Sequence, residues 1–157
     1  MESSLLKKLI TEVHRYQNKD FLKAAMAVCA LSANADNEVS IAERYSIDHA
    51  IANEPALQVF DVAKAIRILD DYIYALREEG ASAKAILYNK IERFAGNHKQ
   101  SRTLMRVSYL IITADRNIGD GEMEEFVRLC ELLDLEPGQV WSHLSENYSR
   151  FGDSLDI

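Results

Sequence analysis

The hydrophobic residues of this chain recur at intervals of three and four along almost its whole length, which is the spacing of amphipathic α-helices. Two segments, FLKAAMAVCALSANA and SRTLMRVSYLIITA, are apolar on nearly every side, and helices of that kind are usually buried. No segment carries the alternation of a β-strand. The pattern therefore predicts an all-α fold, in which about seven or eight helices form a single compact domain over residues 1–157.

Capping and helix-breaking residues indicate where these helices begin and end. A first helix starts at Ser3 or Ser4, and Asp20 is expected to cap the first buried helix. Pro55 stops the helix ahead of it, and Gly80 ends a later one. The predicted parts are a first repeat over about 20–53, two bridging helices over 61–95, a second repeat over about 101–133 and a C-terminal helix over 137–150.

An acidic segment occurs twice, seventy-nine positions apart. The first copy is ADNEVSIAE, from Ala35 to Glu43, and the second is ADRNIGDGE, from Ala114 to Glu122. Both copies open with Ala-Asp, place a β-branched residue three after the Asp and a Glu seven after it. Each follows an apolar helix and leads into an amphipathic one. The duplication predicts two helix–loop–helix hairpins around an approximate two-fold axis, with their acidic loops brought together.

Four carboxylates would meet in that arrangement, those of Asp36, Glu43, Asp115 and Glu122. Carboxylates held close together repel one another unless a positive charge lies between them. Calcium, magnesium and manganese prefer such oxygen ligands, so the sequence predicts a divalent-cation site. Its additional candidate ligands are Glu38 and Asp120.

A purely structural interpretation of the same residues stays open. Ser40 and Glu43 have the spacing of a capping box, in which each side chain bonds the other's backbone amide. Glu122 is a weaker analogue, because Gly119 stands where the serine would be. The loop aspartates also suit the turn that follows a helix. The loops are not EF-hands, since Ile47 and Phe126 occupy the place of the bidentate glutamate.

Composition, charge and the length of the apolar runs argue against several classes of function. The formal net charge of −7 argues against a nucleic-acid partner, because phosphate binding needs clustered lysine and arginine. No apolar run reaches the roughly 18 residues of a membrane span. Cys29 and Cys130 both lie in apolar helical patterns, which predicts buried free thiols and suits a reducing cytoplasm. The residues form no catalytic constellation.

The acidic loops and their flanking segments resemble the TerB family of tellurite-resistance proteins. The segments that carry the resemblance run in family order from about Arg15 to Leu135. They are RYQNKDFLKAAMAVCALSANADNEVS, ALQVFD and LMRVSYLIITADRNIGDGEMEEFVRLCELLDL. One loop alone is moderately specific, whereas two copies with RYQNKDFL ahead of the first are strongly specific.

The resemblance implies a cytoplasmic, all-helical bacterial protein of tellurite resistance and stress response. It implies a metal site at Asp36, Glu43, Asp115 and Glu122, and partners of two kinds, a TerC-type membrane protein and calcium-binding TerD-type proteins. A related domain occurs fused to a DnaJ-type membrane co-chaperone. The glycine that often follows the loop Asp in this family is replaced here by Asn37 and Arg116.

Three functional hypotheses follow. The first is a non-enzymatic, cation-binding adaptor, cytoplasmic or recruited to the inner face of the membrane. The second is a metal-independent interaction module that docks a membrane or chaperone partner. The third, an enzyme acting on tellurite, would need exposed thiols of low pKa and is disfavoured by the expected burial of both cysteines. Arg116 could form an ion pair with Asp115 in place of a cation, which makes the first loop the stronger candidate.

Overall fold

The computed structural model describes residues 6, 19–35, 39–114 and 118–147, and seven α-helices are delimited within these ranges. No strand occurs in these ranges, and the prediction of an all-α fold is confirmed there. In chain order the helices are α1 (Lys19–Ala33), α2 (Ile41–Asn53), α3 (Val62–Glu79), α4 (Ala81–Glu92), α5 (His98–Ile112), α6 (Asp120–Leu132) and α7 (Pro137–Asn147).

Helix α1 lies at the centre of the molecule, as its apolar composition predicts. It contacts every helix from α2 to α6, and its residues from Ala24 to Ala33 are all buried. Alanines at five of these positions let the neighbouring helices approach closely, because their side chains end at Cβ. The predicted cap is wrong, since Asp20 lies within the first turn of α1, where its carboxylate forms an ion pair with Arg93 (Oδ2–Nη2 3.1 Å).

Helix α5 is the main neighbour of α1. The two helices share a hydrogen bond between the buried hydroxyls of Ser32 and Ser108, with 2.8 Å between the Oγ atoms. Helix α2 is tied to the same helix through Ser46, whose Oγ donates to the carbonyl oxygen of Leu110 at 2.9 Å. Both buried helices of the repeats therefore pack against each other, and each repeat contributes one wall of the core.

The connections between helices follow the breaking residues in the sequence. Helix α2 ends at Asn53, two residues before Pro55, and α7 begins at Pro137, as predicted. Gly80 both ends α3 and begins α4, with φ 54° and ψ −118°. Asp134 has a positive φ of 58° after α6, and the next amide, that of Leu135, bonds back to Cys130.

Helix α7 closes one end of the core with Trp141. Its indole meets the rings of Tyr109 on α5 and Phe126 on α6 edge-on, with centroids 5.0 and 5.1 Å away. These T-shaped contacts are the favoured geometry for aromatic pairs, since a ring edge is positive and a ring face negative.

The two repeats share their helix–loop–helix order but differ in their polar contacts. Ser46 and Glu125 are equivalent positions at the offset of seventy-nine. Ser46 bonds to α5, whereas Glu125 accepts a hydrogen bond from Tyr88 on α4, with 2.6 Å between Oη and Oε2. The approximate two-fold axis stays a prediction.

Candidate functional site

The structure describes only part of the predicted cation site. Asp36, Glu38 and Asp115 lie outside the described residues, as does Arg116. The flanking positions are described up to Ala35 and from Val39 in the first copy, and up to Ala114 and from Ile118 in the second. The convergence of the four carboxylates therefore stays a prediction.

Glu43 occupies the first turn of α2 and forms the capping box that the sequence predicts. Its Oε1 accepts from the Ser40 amide at 2.9 Å, and the Ser40 hydroxyl accepts from the Glu43 amide at 3.1 Å. Only 5% of Glu43 is exposed. The carboxylate thus combines a local structural role with a buried position directly after the acidic loop.

Glu122 holds the equivalent place in the first turn of α6. Its Oε1 accepts from the Gly119 amide at 3.4 Å, which is longer than the bond in the first copy. Gly119 has no side-chain hydroxyl that could accept from the Glu122 amide, so only one half of the capping box forms. Glu122 is also buried, with 3% exposed. The prediction of a weaker analogue of Glu43 is confirmed.

Asp120 differs from these two glutamates because it is exposed. It is the first residue of α6 and lies at the edge of a surface groove of about 610 Å³. Glu124 and Glu131 line the same groove, together with Arg128. This face of α6 carries more negative than positive charge.

No group of three or more histidine, cysteine, aspartate or glutamate side chains among the described residues could hold a metal ion. Residues 36–38 and 115–117 of the two loops lie outside the described residues, so this finding does not cover them. Glu43 and Glu122 are the two buried carboxylates from the predicted site that the structure places, and each stands at a helix N-terminus where the macrodipole favours negative charge.

Both cysteines are free and buried, as predicted. Burial raises the pKa of the Cys29 thiol from 9.0 to about 12. Burial also raises the pKa of Cys130 to about 12, and the nearby carboxylates of Glu136 and Glu131 add to the rise. A thiol that stays protonated at neutral pH is a poor nucleophile and a poor metal ligand, so neither cysteine suits redox chemistry on an oxyanion.

Sequence reasoning missed a buried polar pair between α4 and α6. Glu125 is only 5% exposed and accepts from Tyr88, whose pKa is raised by burial and then by this hydrogen bond. The guanidinium of Arg128 lies 6.0 Å from the centre of the Tyr88 ring. The available signal was that Glu125 falls on the apolar stripe of α6, beside Phe126 and Leu129.

Among the helices that the structure describes, none combines the length and the apolar character needed to cross a membrane.

A family model matches this chain over most of its length. The family model described as "Tellurite resistance protein TerB" matches residues 22–142. A curated relative from an Alcaligenes species, "Tellurium resistance protein TerB", is 34% identical over 65 residues. Those residues make up 41% of this chain and 53% of the relative, so the match spans about half of the relative's length. No solved structure matches the chain.

Proposed function

The chain belongs to the TerB family of tellurite resistance proteins, and from that premise we propose that it acts in the bacterial response to tellurite as a non-enzymatic adaptor that binds a divalent cation. It works in the cytoplasm, where it is recruited to the inner face of the membrane. Its partners are a TerC-type membrane protein and TerD-type proteins.

The observation that carries the cation proposal is the burial of two equivalent glutamates, Glu43 and Glu122. Glutamate is seldom buried, because removing a carboxylate from water is costly unless opposite charge and hydrogen bonds offset the loss. A capping glutamate can bond the backbone from the helix surface, so capping by itself does not require burial. Each glutamate also follows a loop that opens with an aspartate, Asp36 or Asp115, which adds negative charge nearby.

A divalent cation shared by these four residues would offset that charge. Calcium, magnesium and manganese all accept carboxylate oxygens, and Glu38 and Asp120 supply additional oxygens at the two loops. We assign the tighter binding to the first loop, because the second contains Arg116, which competes with a cation for Asp115.

Calorimetric titration with calcium, magnesium and manganese tests the cation proposal. We expect wild-type protein to bind at least one of these ions and to melt at a higher temperature in its presence, because a ligand that binds only the native state stabilises it. Asp36→Ala combined with Asp115→Ala should abolish both effects, and Asp36→Ala alone should weaken binding more than Asp115→Ala alone.

A matched control is Asp71→Ala with Glu78→Ala, which removes the same charge from exposed positions on α3. It should retain the binding heat and the rise in melting temperature. The cation proposal fails if wild type and the loop variant give the same null heats and the same melting temperature in all three ions.

A second candidate function is a metal-independent module that docks a basic segment of a membrane or chaperone partner. The acidic groove on α6 favours it, because Asp120, Glu124 and Glu131 flank the apolar side chains of Met123 and Val127. Binding of a Lys- and Arg-rich peptide in this groove should weaken as the salt concentration rises and should be unchanged by a chelator. Docking that depends on a cation should instead be lost when the chelator is added.

Glu124→Gln with Glu131→Gln should remove the peptide binding and leave the cation titration unchanged. This pair of outcomes separates the two candidate functions, since the loop variant is expected to show the reverse pattern.

A further inference from the structure

A cavity of about 780 Å³ lies on the side of the molecule where α2 ends, α5 begins and α7 passes. Its volume is within the range of about 300–1,000 Å³ that is typical of small-molecule sites. None of the described residues of the two acidic loops lines it. The residues that line it are Glu54, Pro55, Ala56, His98, Lys99, Arg102, Thr103, Arg106, His143 and Leu144.

An ion pair occupies one wall of the cavity. Arg106 donates from Nε to Oε2 of Glu54 at 3.1 Å, and its Nη2 donates to Oε1 of the same carboxylate. Glu54 is 9% exposed, and the two parallel bonds fix the guanidinium in place. Glu54 is the one carboxylate among the described lining residues, and its charge is thereby matched by that of Arg106.

Two further cations, Lys99 and Arg102, remain for a ligand. Both are exposed, and neither takes part in an ion pair within the described ranges. With Arg106 they form a row on one face of α5, at intervals of three and four residues. Seven residues of helix span about 10 Å, so the row is longer than one small oxyanion can contact at once.

The surroundings of this row also favour negative charge. The cavity lies at the N-terminal end of α5, where the helix dipole is positive. His98 and His143 stand at its edge and can donate hydrogen bonds to oxygen. This concentration of donors contrasts with a chain whose formal net charge is −7.

We propose that this cavity binds a small molecule carrying a chain of phosphates, of the nucleoside di- or triphosphate class. A phosphate chain can reach both Lys99 and Arg102, and arginine bonds phosphate oxygens in pairs. The apolar part of the lining, formed by Pro55, Ala56 and Leu144, accepts the uncharged part of the ligand. The site is separate from the cation proposal, and its test is run without divalent ions.

Calorimetric titration with tripolyphosphate and with ATP, in the presence of a chelator, measures this binding. Wild-type protein should bind both probes, ATP at least as tightly as tripolyphosphate, and orthophosphate more weakly. Lys99→Gln with Arg102→Gln should weaken both probes by about tenfold or more, since both side chains lose their charge-assisted hydrogen bonds to phosphate oxygens.

Lys64→Gln with Arg67→Gln is the matched control, because it removes the same charges at the same spacing from exposed positions on α3. It should change the affinity less than twofold. Melting curves of both variants should match wild type, because none of the four side chains is buried.

Amide chemical shifts of the wild-type protein provide a readout that needs no variant. Titration with ATP should move the signals of Glu54–Ala56, the first two turns of α5 and His143–Leu144. The proposal is overturned if neither probe binds, if both variants weaken binding equally, if the shifts lie elsewhere, or if an oligo-glutamate peptide binds more tightly than ATP.

Discussion

At the scale of single residues, Ser40 and Gly119 show how the two copies of the acidic segment differ. Their backbone angles are almost the same, with φ −75° and ψ 164° at Ser40 and φ −79° and ψ 164° at Gly119. The backbone therefore adopts the N-cap conformation with or without a hydroxyl. The difference is confined to the side chain, which completes the capping box only in the first copy.

Replacing Ser40 with alanine should lower the free energy of unfolding by about 1 kcal/mol, because the Glu43 amide then loses its acceptor. Urea denaturation followed by circular dichroism measures the change. Ser142→Ala is the control, since Ser142 lies on the exposed surface of α7 and alanine is a good helix former. A loss of equal size in both variants would contradict a capping role for Ser40.

At the scale of helices, the contact between α1 and α5 includes a pair of buried serines. Ser32 and Ser108 are fully buried and bond to each other. Hydroxyls in an apolar interface have to find partners inside the protein, because no water reaches them. The hydrogen bond therefore fixes the position of one helix along the other in a way that alanine and leucine contacts do not.

A double-mutant cycle tests this pairing. Ser32→Ala and Ser108→Ala should each destabilise the protein by about 1–3 kcal/mol, because each leaves one buried hydroxyl without its partner. The double variant should cost clearly less than the sum of the two, since both polar groups are then gone. Chemical denaturation of the four proteins gives the coupling energy, and strictly additive losses would contradict it.

At the scale of the whole molecule, the buried thiols couple stability to alkaline pH. Burial raises the pKa of both Cys29 and Cys130 to about 12 in the folded protein, from an ordinary value of 9.0. Above pH 9 the unfolded chain therefore loses thiol protons that the folded chain keeps, and ionisation favours unfolding. The stabilisation is fully present below pH 9 and declines as the pH rises towards 12.

We expect each thiol to lower the free energy of unfolding by about 1.4 kcal/mol per pH unit in that range. Urea denaturation between about pH 8 and pH 11, on either side of the ordinary thiol pKa of 9.0, measures the slope. Cys29→Ala with Cys130→Ala should flatten it. Tyr72 and Tyr88, whose pKa values are also raised by burial, should contribute to the slope that remains.

The sequence predicts those features that depend on neighbours along the chain. Helical spacing identifies the buried helices, and the three-residue separation of Ser40 and Glu43 identifies their capping box. The ion pair of Glu54 with Arg106 joins residues fifty-two positions apart, and only the packing of α2 against α5 brings them together. Periodicity carries no information about such long-range pairs.

The same division applies to the candidate site. The position of Glu43 and Glu122 in the first turns of their helices is a local property, and it was predictable. Their burial depends on how α2 and α6 pack on the rest of the molecule, which no local pattern specifies. The cavity beside α5 was missed for a similar reason. Its cations come from α5, and the rest of its lining comes from the turn after α2 and from α7.

Gly80 has a consequence for how chains of this kind can vary in length. It is the single residue between α3 and α4, its φ of 54° favours glycine, and an added Cβ would meet no atom within 4 Å. The connection between α3 and α4 therefore contains no further residue that could absorb a change in length. One inserted residue would turn α4 by about 100° about its axis and carry its buried face towards solvent. We therefore expect changes of length between the repeats to be tolerated in the turns at 54–60 and 93–97 and not at Gly80, because each of those turns joins its helices through several residues rather than a single one.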